Sequence, residues 1–420
     1  MKKYINKWWI CLFFLLLLLQ VKFSFSGIDL STSTYDELKQ FAEILDIIQR
    51  NYVKEPDPKE LIHGAIKGML NVLDPHSSYL SPDDFKELQI ETKGKFGGVG
   101  IEITIKDGWL TVVSPIEDTP AYEAGIKAGD KIVKIDGKST KDMSMMEAVK
   151  LIRGPKGTKV TLTIWREGFK EPKDFVITRD IIIIKSVKAK TLEPGYGYVR
   201  ITSFQENTTS ELQKALLHLE KENKPLKGII LDLRNNPGGL LDQAVKVADV
   251  FLEKGLIVYI KGRKERIDFK AHPNSHPHSY PIVILVNEGT ASAAEIVAGA
   301  LQDQHRALLI GTTTFGKGSV QTIIPLEDGS ALRLTTALYY TPSGRCIQAT
   351  GIKPDLALRE GKITEEKSPH PILREKDLER HLKALEKKEK EEKNEPKDFL
   401  INVGLQILKK WDVLTHLKYN

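Results

Sequence analysis

Hydrophobic and polar residues fall into six successive textures along the chain. A continuous apolar run comes first, from Trp8 to Leu19. Between Tyr35 and Tyr52, Leu38, Phe41, Leu45, Ile48 and Tyr52 recur at three- and four-residue steps, the spacing of one helix face. Leu61 to Leu73 reads as a second helix, closed by Asp74-Pro75. Ser81-Pro82-Asp83-Asp84 opens a short third one with acids in its first turn. At Gly94 the period shortens. Gly98 to Thr104, Leu110 to Val113, Lys131 to Ile135 and Val160 to Arg166 read as strands separated by Gly and Asp turns, with one helix, Ser144 to Ile152, among them.

From Ile181 onward strands and helices alternate. Gly197–Ile201, Gly228–Leu233, Ile282–Val286 and Ala307–Ile310 are β runs; Ser210–Glu220, Leu240–Phe251 and Ser292–Leu301 are helical runs. That alternation predicts an α/β layer with a mainly parallel sheet. Glu360 to Lys397 is highly charged, with Lys383 to Lys393 almost all Lys and Glu, and reads as a solvated helix or linker. Asp398 to Leu417 regains apolar periodicity through Phe399, Val403, Ile407, Trp411 and Leu414, and predicts a helix that packs on something. The chain divides into an N-terminal segment, 1–26; a helical unit, 30–93, whose part 74–92 could equally pack on the core; a β-domain, 94–182; an α/β core, 183–360; a charged stretch, 361–397; and a C-terminal helical segment, 398–420. The fold class is α+β, multidomain.

Length and composition narrow the function. A chain of 420 residues, 41% hydrophobic and 28% charged, suits two or three globular domains and excludes collagen, wholesale disorder and a multi-span membrane protein. The net charge is +6, yet residues 1–26 hold Lys2, Lys3, Lys7 and Lys22 and no acid, which leaves +2 for the rest. A body so near neutrality gives no reason to expect a nucleic-acid partner. Basic residues, an apolar run and then small residues at Ser24 and Ser26 make a secretory signal. Cleavage after Ser26 and retention as an N-terminal anchor both stay open, because bulky Phe23 and Phe25 do not make a clean cleavage site. Either way the chain is expected outside the cytoplasm, in the periplasm or on the outer face of the cytoplasmic membrane. Two cysteines, Cys11 and Cys346, are too few for a disulfide scaffold.

In the β-domain, Gly97-Gly98-Val99-Gly100-Ile101 forms a glycine-rich loop leading into a strand. Converging N–H groups of such a loop can hold a terminal carboxylate while a peptide adds as an extra strand. Thr119-Pro120-Ala121, Ala124-Gly125-Ile126-Lys127-Ala128-Gly129-Asp130 and Ile135-Asp136-Gly137 resemble the signature of PDZ domains.

Candidate chemistry lies in three stretches of the core. Leu231 to Leu240 carries a strand into Asn235-Asn236-Pro237-Gly238-Gly239, a turn whose N–H groups could face an anion. In the second stretch a strand ends at Asn287 and Ser292 stands where a helix begins, either a helix cap or a nucleophile. The third, Gly311 to Gln321, approaches a phosphate loop, but Gly318 occupies the place of the required Ser or Thr and the following residues read as strand, which argues against nucleotide binding. On a strand, Lys317, Ser319 and Gln321 would share a face. No G-x-S-x-G elbow and no H-E-x-x-H helix occurs. His272, His276 and His278 look like a ligand set but are interrupted by Pro273 and Pro277, and read as a polar loop. No metal or cofactor is expected.

Together the three stretches resemble the carboxyl-terminal processing peptidases, also called tail-specific proteases, over nearly the whole chain after the N-terminal segment. Leu73-Asp74-Pro75-His76-Ser77-Ser78-Tyr79-Leu80 and Leu151-Ile152-Arg153-Gly154-Pro155-Lys156-Gly157-Thr158 resemble further segments of that family. The resemblance implies a serine endopeptidase with Ser292 as nucleophile, Lys317 as general base, Gln321 holding the amine, and backbone N–H groups of Gly238 and Ala293 receiving the oxyanion. A lysine base requires a pKa well below about 10.4. The PDZ domain would capture substrate C-termini, and Arg153 matches an arginine implicated in a PDZ-controlled switch; as a residue alone it reads equally as a surface cation. Relatives can form dimers through their terminal helices, so a homodimer, an activating partner and a membrane tether through the N-terminal segment are further expectations. The rival from another class is a PDZ scaffold without catalysis.

Overall fold

The computed structural model describes residues 32–274, 276–359, 361 and 398–416. The expected export signal and nearly all of the charged stretch lie outside the described residues. Among those described, no helix is long and apolar enough to cross a membrane. The chain divides into two compact units, 1–73 and 74–420.

The first unit holds α1 (Thr32–Asn51) and α2 (Pro58–Asn71). Helix α2 starts three residues before its first apolar residue because Asp57 caps it, accepting from the Lys59 N–H, and Pro58 fits the first turn. The apolar row of α1, including Tyr35, Leu38, Phe41, Ile44 and Ile48, is exposed.

The second unit opens with β1 (Ser78–Leu80) and α3 (Pro82–Lys93). Strand β1 pairs with a core strand, so 74–93 belongs with the body, the alternative that the sequence left open. A Ser81/Asp84 capping box starts α3 and left-handed Gly94 stops it.

The PDZ domain is built from β2 (Lys95–Gly98), β3 (Ile101–Lys106), β4 (Trp109–Pro115), α4 (Pro120–Glu123), β5 (Lys131–Ile135), β6 (Lys138–Ser139), α5 (Met145–Ile152), β7 (Lys159–Trp165), β8 (Lys173–Thr178) and β9 (Asp180–Ile183). Its main sheet runs β3-β4-β5-β7-β8, which leaves β3 at an edge. Alternate residues of β7, namely Val160, Leu162 and Ile164, point into a core shared with Val99, Ile132, Ile135 and Ala148. Asp130, fully buried, forms a two-pronged pair with Arg166 and accepts from the Lys127 N–H, which is the structural work of that motif residue. The chain enters the domain on β2 and leaves on β9; the two pair antiparallel and make a two-stranded neck.

The core comprises β10 (Val187–Glu193), β11 (Tyr196–Ile201), α6 (Thr208–Glu222), β12 (Gly228–Asp232), α7 (Leu241–Phe251), β13 (Leu256–Gly262), β14 (Arg266–Lys270), β15 (Ile282–Val286), α8 (Ala293–Asp303), β16 (Leu308–Gly311), β17 (Ser319–Pro325), β18 (Ala331–Tyr340), β19 (Leu356–Ala357), α9 (Phe399–Lys409) and α10 (Trp411–His416). The main sheet, β10-β11-β12-β15-β16-β19, is parallel except for the β10–β11 pair. Both its faces are covered, which is why β12 and β15 are apolar at every position but the last of β12. Ile229, Leu231, Ile282, Ile284 and Val286 pack with residues of α6, α7 and α8. Ile230, Val283 and Leu285 pack on the other face with Leu400, Ile401, Leu405 and Leu408 of α9. Gly404 lets α9 approach: a Cβ there would stand 3.1 Å from Ile230. The C-terminal segment is thus two helices rather than one, and α9 spends its apolar face on its own sheet.

A second, antiparallel sheet joins β1, β18, β13 and β14, with β17 paired to β18. Strands β13 and β14 were not read from the sequence.

Candidate active site

Strands β12 and β15 are parallel neighbours, so the loops leaving their carboxyl ends meet. Several bonds join them. The Asn235 N–H donates to Asn287 Oδ1 at 2.9 Å and Asn287 Nδ2 returns to Asn235 Oδ1 at 3.0 Å. Thr290 Oγ1 donates to the Leu233 carbonyl, and the Ala291 N–H to the Asn236 carbonyl. Ser292 follows at the N-cap of α8 with φ 54° and ψ −115°, a sparsely populated conformation for a residue with a side chain. Such strain costs about 1–3 kcal/mol and persists only where the surroundings enforce it.

Glu295 does much of the enforcing. This carboxylate is fully buried and accepts four hydrogen bonds. Oε2 takes the N–H groups of Ser292 at 2.8 Å and Lys317 at 2.9 Å; Oε1 takes Thr314 Oγ1 at 2.5 Å and the Gly316 N–H at 2.7 Å. One oxygen therefore ties the backbone of the candidate nucleophile to that of the candidate base. Glu295 was not singled out from the sequence, although Ser292-Ala293-Ala294-Glu295 has the Ser-x-x-Glu spacing of a helix start.

Lys317 is half-buried in the loop before β17, not on the strand, and a strand rather than a phosphate-loop helix follows it. Burial holds its amine below its ordinary pKa, the charge of Arg333 adds in the same direction, and the Asp74 carboxylate opposes them. The simple alternation expected of Lys317, Ser319 and Gln321 fails because a bulge lies between Val320 and Gln321. Gln321 Nε2 donates to Ser319 Oγ at 2.8 Å and to Thr335 Oγ1 at 3.3 Å, so in this arrangement the carboxamide donor is engaged by those two hydroxyls. Thr335 in turn donates to Asp74 Oδ1 at 3.2 Å. This brings the Asp74-Pro75-His76-Ser77 segment beside the candidate base.

Gly238 is packed against the nucleophile: a Cβ there would lie 2.9 Å from the Ser292 Cβ and 3.0 Å from the Ala293 nitrogen. Its own N–H donates to Asn236 Oδ1 at 2.9 Å. The turn therefore brings the two predicted oxyanion donors together, but with the Gly238 donor occupied. Behind it, Asp232 is fully buried. It accepts from Tyr198 Oη at 2.7 Å and from Arg234 Nη2 at 2.7 Å, and Arg234 also reaches Asp398 at the cap of α9 at 2.8 Å. Asp232, Arg234 and Asn236 stand inside the quoted motif but were given no role from sequence.

In the PDZ domain, Gly97 and Gly98 end β2, Val99 is buried, and Gly100 and Ile101 lead into the edge strand β3. Gly100 has φ 81°, and a Cβ there would meet the Thr119 side chain at 2.3 Å. Arg153, at the C-cap of α5, is no free surface cation. It pairs with Glu87 of α3 and lies 4.5 Å from the centre of the Phe96 ring. The three histidines do not form one polar loop cluster. His272 pairs with Asp249, whereas His276 and buried His278 both meet Glu220.

The comparisons with known proteins agree with this architecture. The chain matches Peptidase family S41 over residues 195–358, a PDZ domain over 111–166, and the activating protease CtpB N-terminal domain over 24–84. The carboxy-terminal-processing protease of Bartonella bacilliformis is 49% identical over 362 residues, which are 85% of this chain and 83% of that one. The carboxy-terminal processing protease CtpA of Bacillus subtilis is 44% identical over 329 residues, 77% of this chain and 69% of its own. Among solved structures, the photosystem II D1 C-terminal processing protease shares 34% identity over 77% of this chain and 93% of that one, with a TM-score of 0.46. Domains and relatives together define a serine-type peptidase carrying a PDZ domain. The chain belongs to the carboxy-terminal processing protease family, and the scaffold reading falls away.

Proposed function

We propose that this chain is an exported endopeptidase that cuts peptide bonds with Ser292 as nucleophile and Lys317 as general base. The observation that carries the reading is Glu295 Oε2, which accepts from the backbones of both residues at once. The lysine amine, held below its ordinary pKa chiefly by burial, is suited to take the serine proton as Oγ attacks the substrate carbonyl. The developing oxyanion meets the N–H groups of Ala293 and Gly238, the latter after Asn236 releases it. One such donor is worth about 3 kcal/mol in the transition state. Gln321, turned from Ser319, would present its carbonyl oxygen or amide to the amine without adding charge.

Substrate C-termini would enter through the PDZ domain, the carboxylate at the Gly97–Gly100 loop and the peptide along the open edge of β3. Arg153 would report occupancy, since its pair with Glu87 joins the PDZ helix to the helix leading from β1. Export to the periplasm or the outer membrane face, with or without an N-terminal tether, follows from the signal-like segment. An activating partner fits the match to an activating protease's N-terminal domain. Homodimerisation is assigned to α1, whose apolar row is exposed, rather than to α9, which is engaged. Incubating the purified chain and its Ser292→Ala form with an unfolded protein ending in an apolar C-terminus tests the reading. Cleavage by the parent alone supports it, and cleavage by both removes it. Multi-angle light scattering of Leu38→Glu/Phe41→Glu against the parent tests the dimer.

A further inference from the structure

Far from Ser292, at the opposite end of the parallel sheet, the loop that leads into β15 meets the end of α6. His276 Nε2 lies 2.9 Å from Glu220 Oε2, and His278 Nδ1 lies 2.8 Å from Glu220 Oε1. One ligand atom from each residue falls within 4.8 Å of the others. We propose that Glu220, His276 and His278 form a binding site for a divalent transition-metal ion of the zinc class, separate from the proteolytic site.

The geometry suits such an ion. Zinc–nitrogen bonds of about 2.0–2.1 Å at a tetrahedral angle place two imidazole centres about 5 Å apart. The His276 and His278 ring centroids are 5.2 Å apart, in an edge-on arrangement of 77°. Two imidazoles and one carboxylate are also a ligand set found at zinc sites with an open fourth position. Tyr280 Oη lies 3.1 Å from His278 Nδ1, so a phenol stands beside the same point, able to hydrogen-bond the carboxylate or a fourth-position water. The holding residues are restrained. His278 is buried against Phe251 and Tyr280, and Arg306 donates to the His278 and Tyr280 carbonyls. A route in is present, since His278 also lines a cavity of about 300 Å³ between Val250–Lys254 and Gln304–Arg306.

The site's consequence is mechanical rather than chemical. An ion would clip the end of α6 to the loop joining the antiparallel sheet to β15, two segments 56 residues apart in sequence. It lies where β15 begins, whereas Ser292 follows where β15 ends.

The test is equilibrium dialysis of the full-length chain against zinc chloride, with thermal unfolding followed in parallel and cobalt(II) as a spectroscopic probe. The expected result is one tightly held zinc, a rise in unfolding midpoint with zinc, and the visible absorption of tetrahedral cobalt. Changes outside the ligand set alone typically cost roughly 10–100-fold in metal affinity, so His276→Ala, which removes an exposed ligand without disturbing the core, should weaken binding by at least that much. Glu220→Gln should do likewise. Binding that survives His276→Ala unchanged, or is lost only in His272→Ala, overturns the assignment, as does the absence of zinc binding in the parent chain. Proteolysis is expected to persist after chelation, so the result is independent of the Ser–Lys reading.

Discussion

The protease core and the PDZ domain hold their functional groups in contrasting ways. In the core, the loops around Ser292 are cross-tied by paired asparagines, a threonine and a four-bonded buried carboxylate, and the tension in Ser292 is absorbed by that network. The PDZ domain has its own well-filled core, yet it joins the body through a two-stranded neck and through side-chain pairs that water can reach. Lys150–Asp83 is 50% and 69% exposed, and Arg153–Glu87 is 27% and 30% exposed. Exposed pairs are worth about 0–1 kcal/mol. The difference teaches that the loops around Ser292 are held by buried bonds, whereas the PDZ domain is held to the body by its neck and by pairs that cost little to break.

Changes at the fixed end should be the most severe. Ser292→Ala should lower proteolysis by at least about 10³-fold and Lys317→Ala by about 10²–10⁴-fold, with unfolding midpoints nearly unchanged. Substantial turnover by either pure variant, measured on an unfolded substrate, would show that the rigid end is not the catalytic one. Glu295→Gln comes next. It replaces an acceptor of four hydrogen bonds by a group that donates on one side, which should cost roughly 1–3 kcal/mol of stability and lower kcat more than it raises KM. A variant with a lowered midpoint but unaltered kcat would make Glu295 a packing residue only.

The third expectation concerns pH. A lysine base acts when neutral, and burial lowers the Lys317 pKa. Activity should therefore rise with pH, about tenfold per unit below that pKa, and hold into the alkaline range. Arg333→Gln removes a charge that pushes the same way, so the rise should move to higher pH. A profile governed by a group near about 6.5, and abolished by replacing one histidine, would contradict the lysine base. The smallest effect belongs to the adjustable end. Arg153→Ala should change global stability by less than about 1 kcal/mol while speeding amide exchange in β2 and β9 and altering the response to peptides. Unchanged exchange in the neck would break the contrast between the two regions.

Much of this layout was legible beforehand, for identifiable reasons. Fully apolar strands and Gly-containing turns marked β12, β15 and the start of α8, because a sheet covered on both faces permits little else. Strands β3, β4, β5 and β7 of the PDZ domain showed as short β-like runs between Gly and Asp turns, whereas β2, β6, β8 and β9 did not. What stayed hidden depended on partners distant in sequence. The ladder between Ser78–Leu80 and Ala331–Arg333, the Asp74–Thr335 bond and the meeting of His276 and His278 with Glu220 have no local signature. Strand β14 was obscured by charged and exposed residues, whereas β13 carries the apolar run Leu256–Ile260 that the sequence reading passed over. The bulge at Val320/Gln321, which redirects Gln321, is a register change that period-two reasoning cannot see.

Asp398 and α9 bear on how the molecule comes to be made. Residues 398–409 contain the helix that closes one face of the sheet and the carboxylate that meets Arg234 behind the Gly238 turn. Every strand of that sheet is synthesised before them. A chain that has not yet made α9 leaves Ile230, Val283 and Leu285 without their partners on that face, and Arg234 without Asp398. Closure of that face is therefore late in the order of synthesis: α9 is made after every strand it covers.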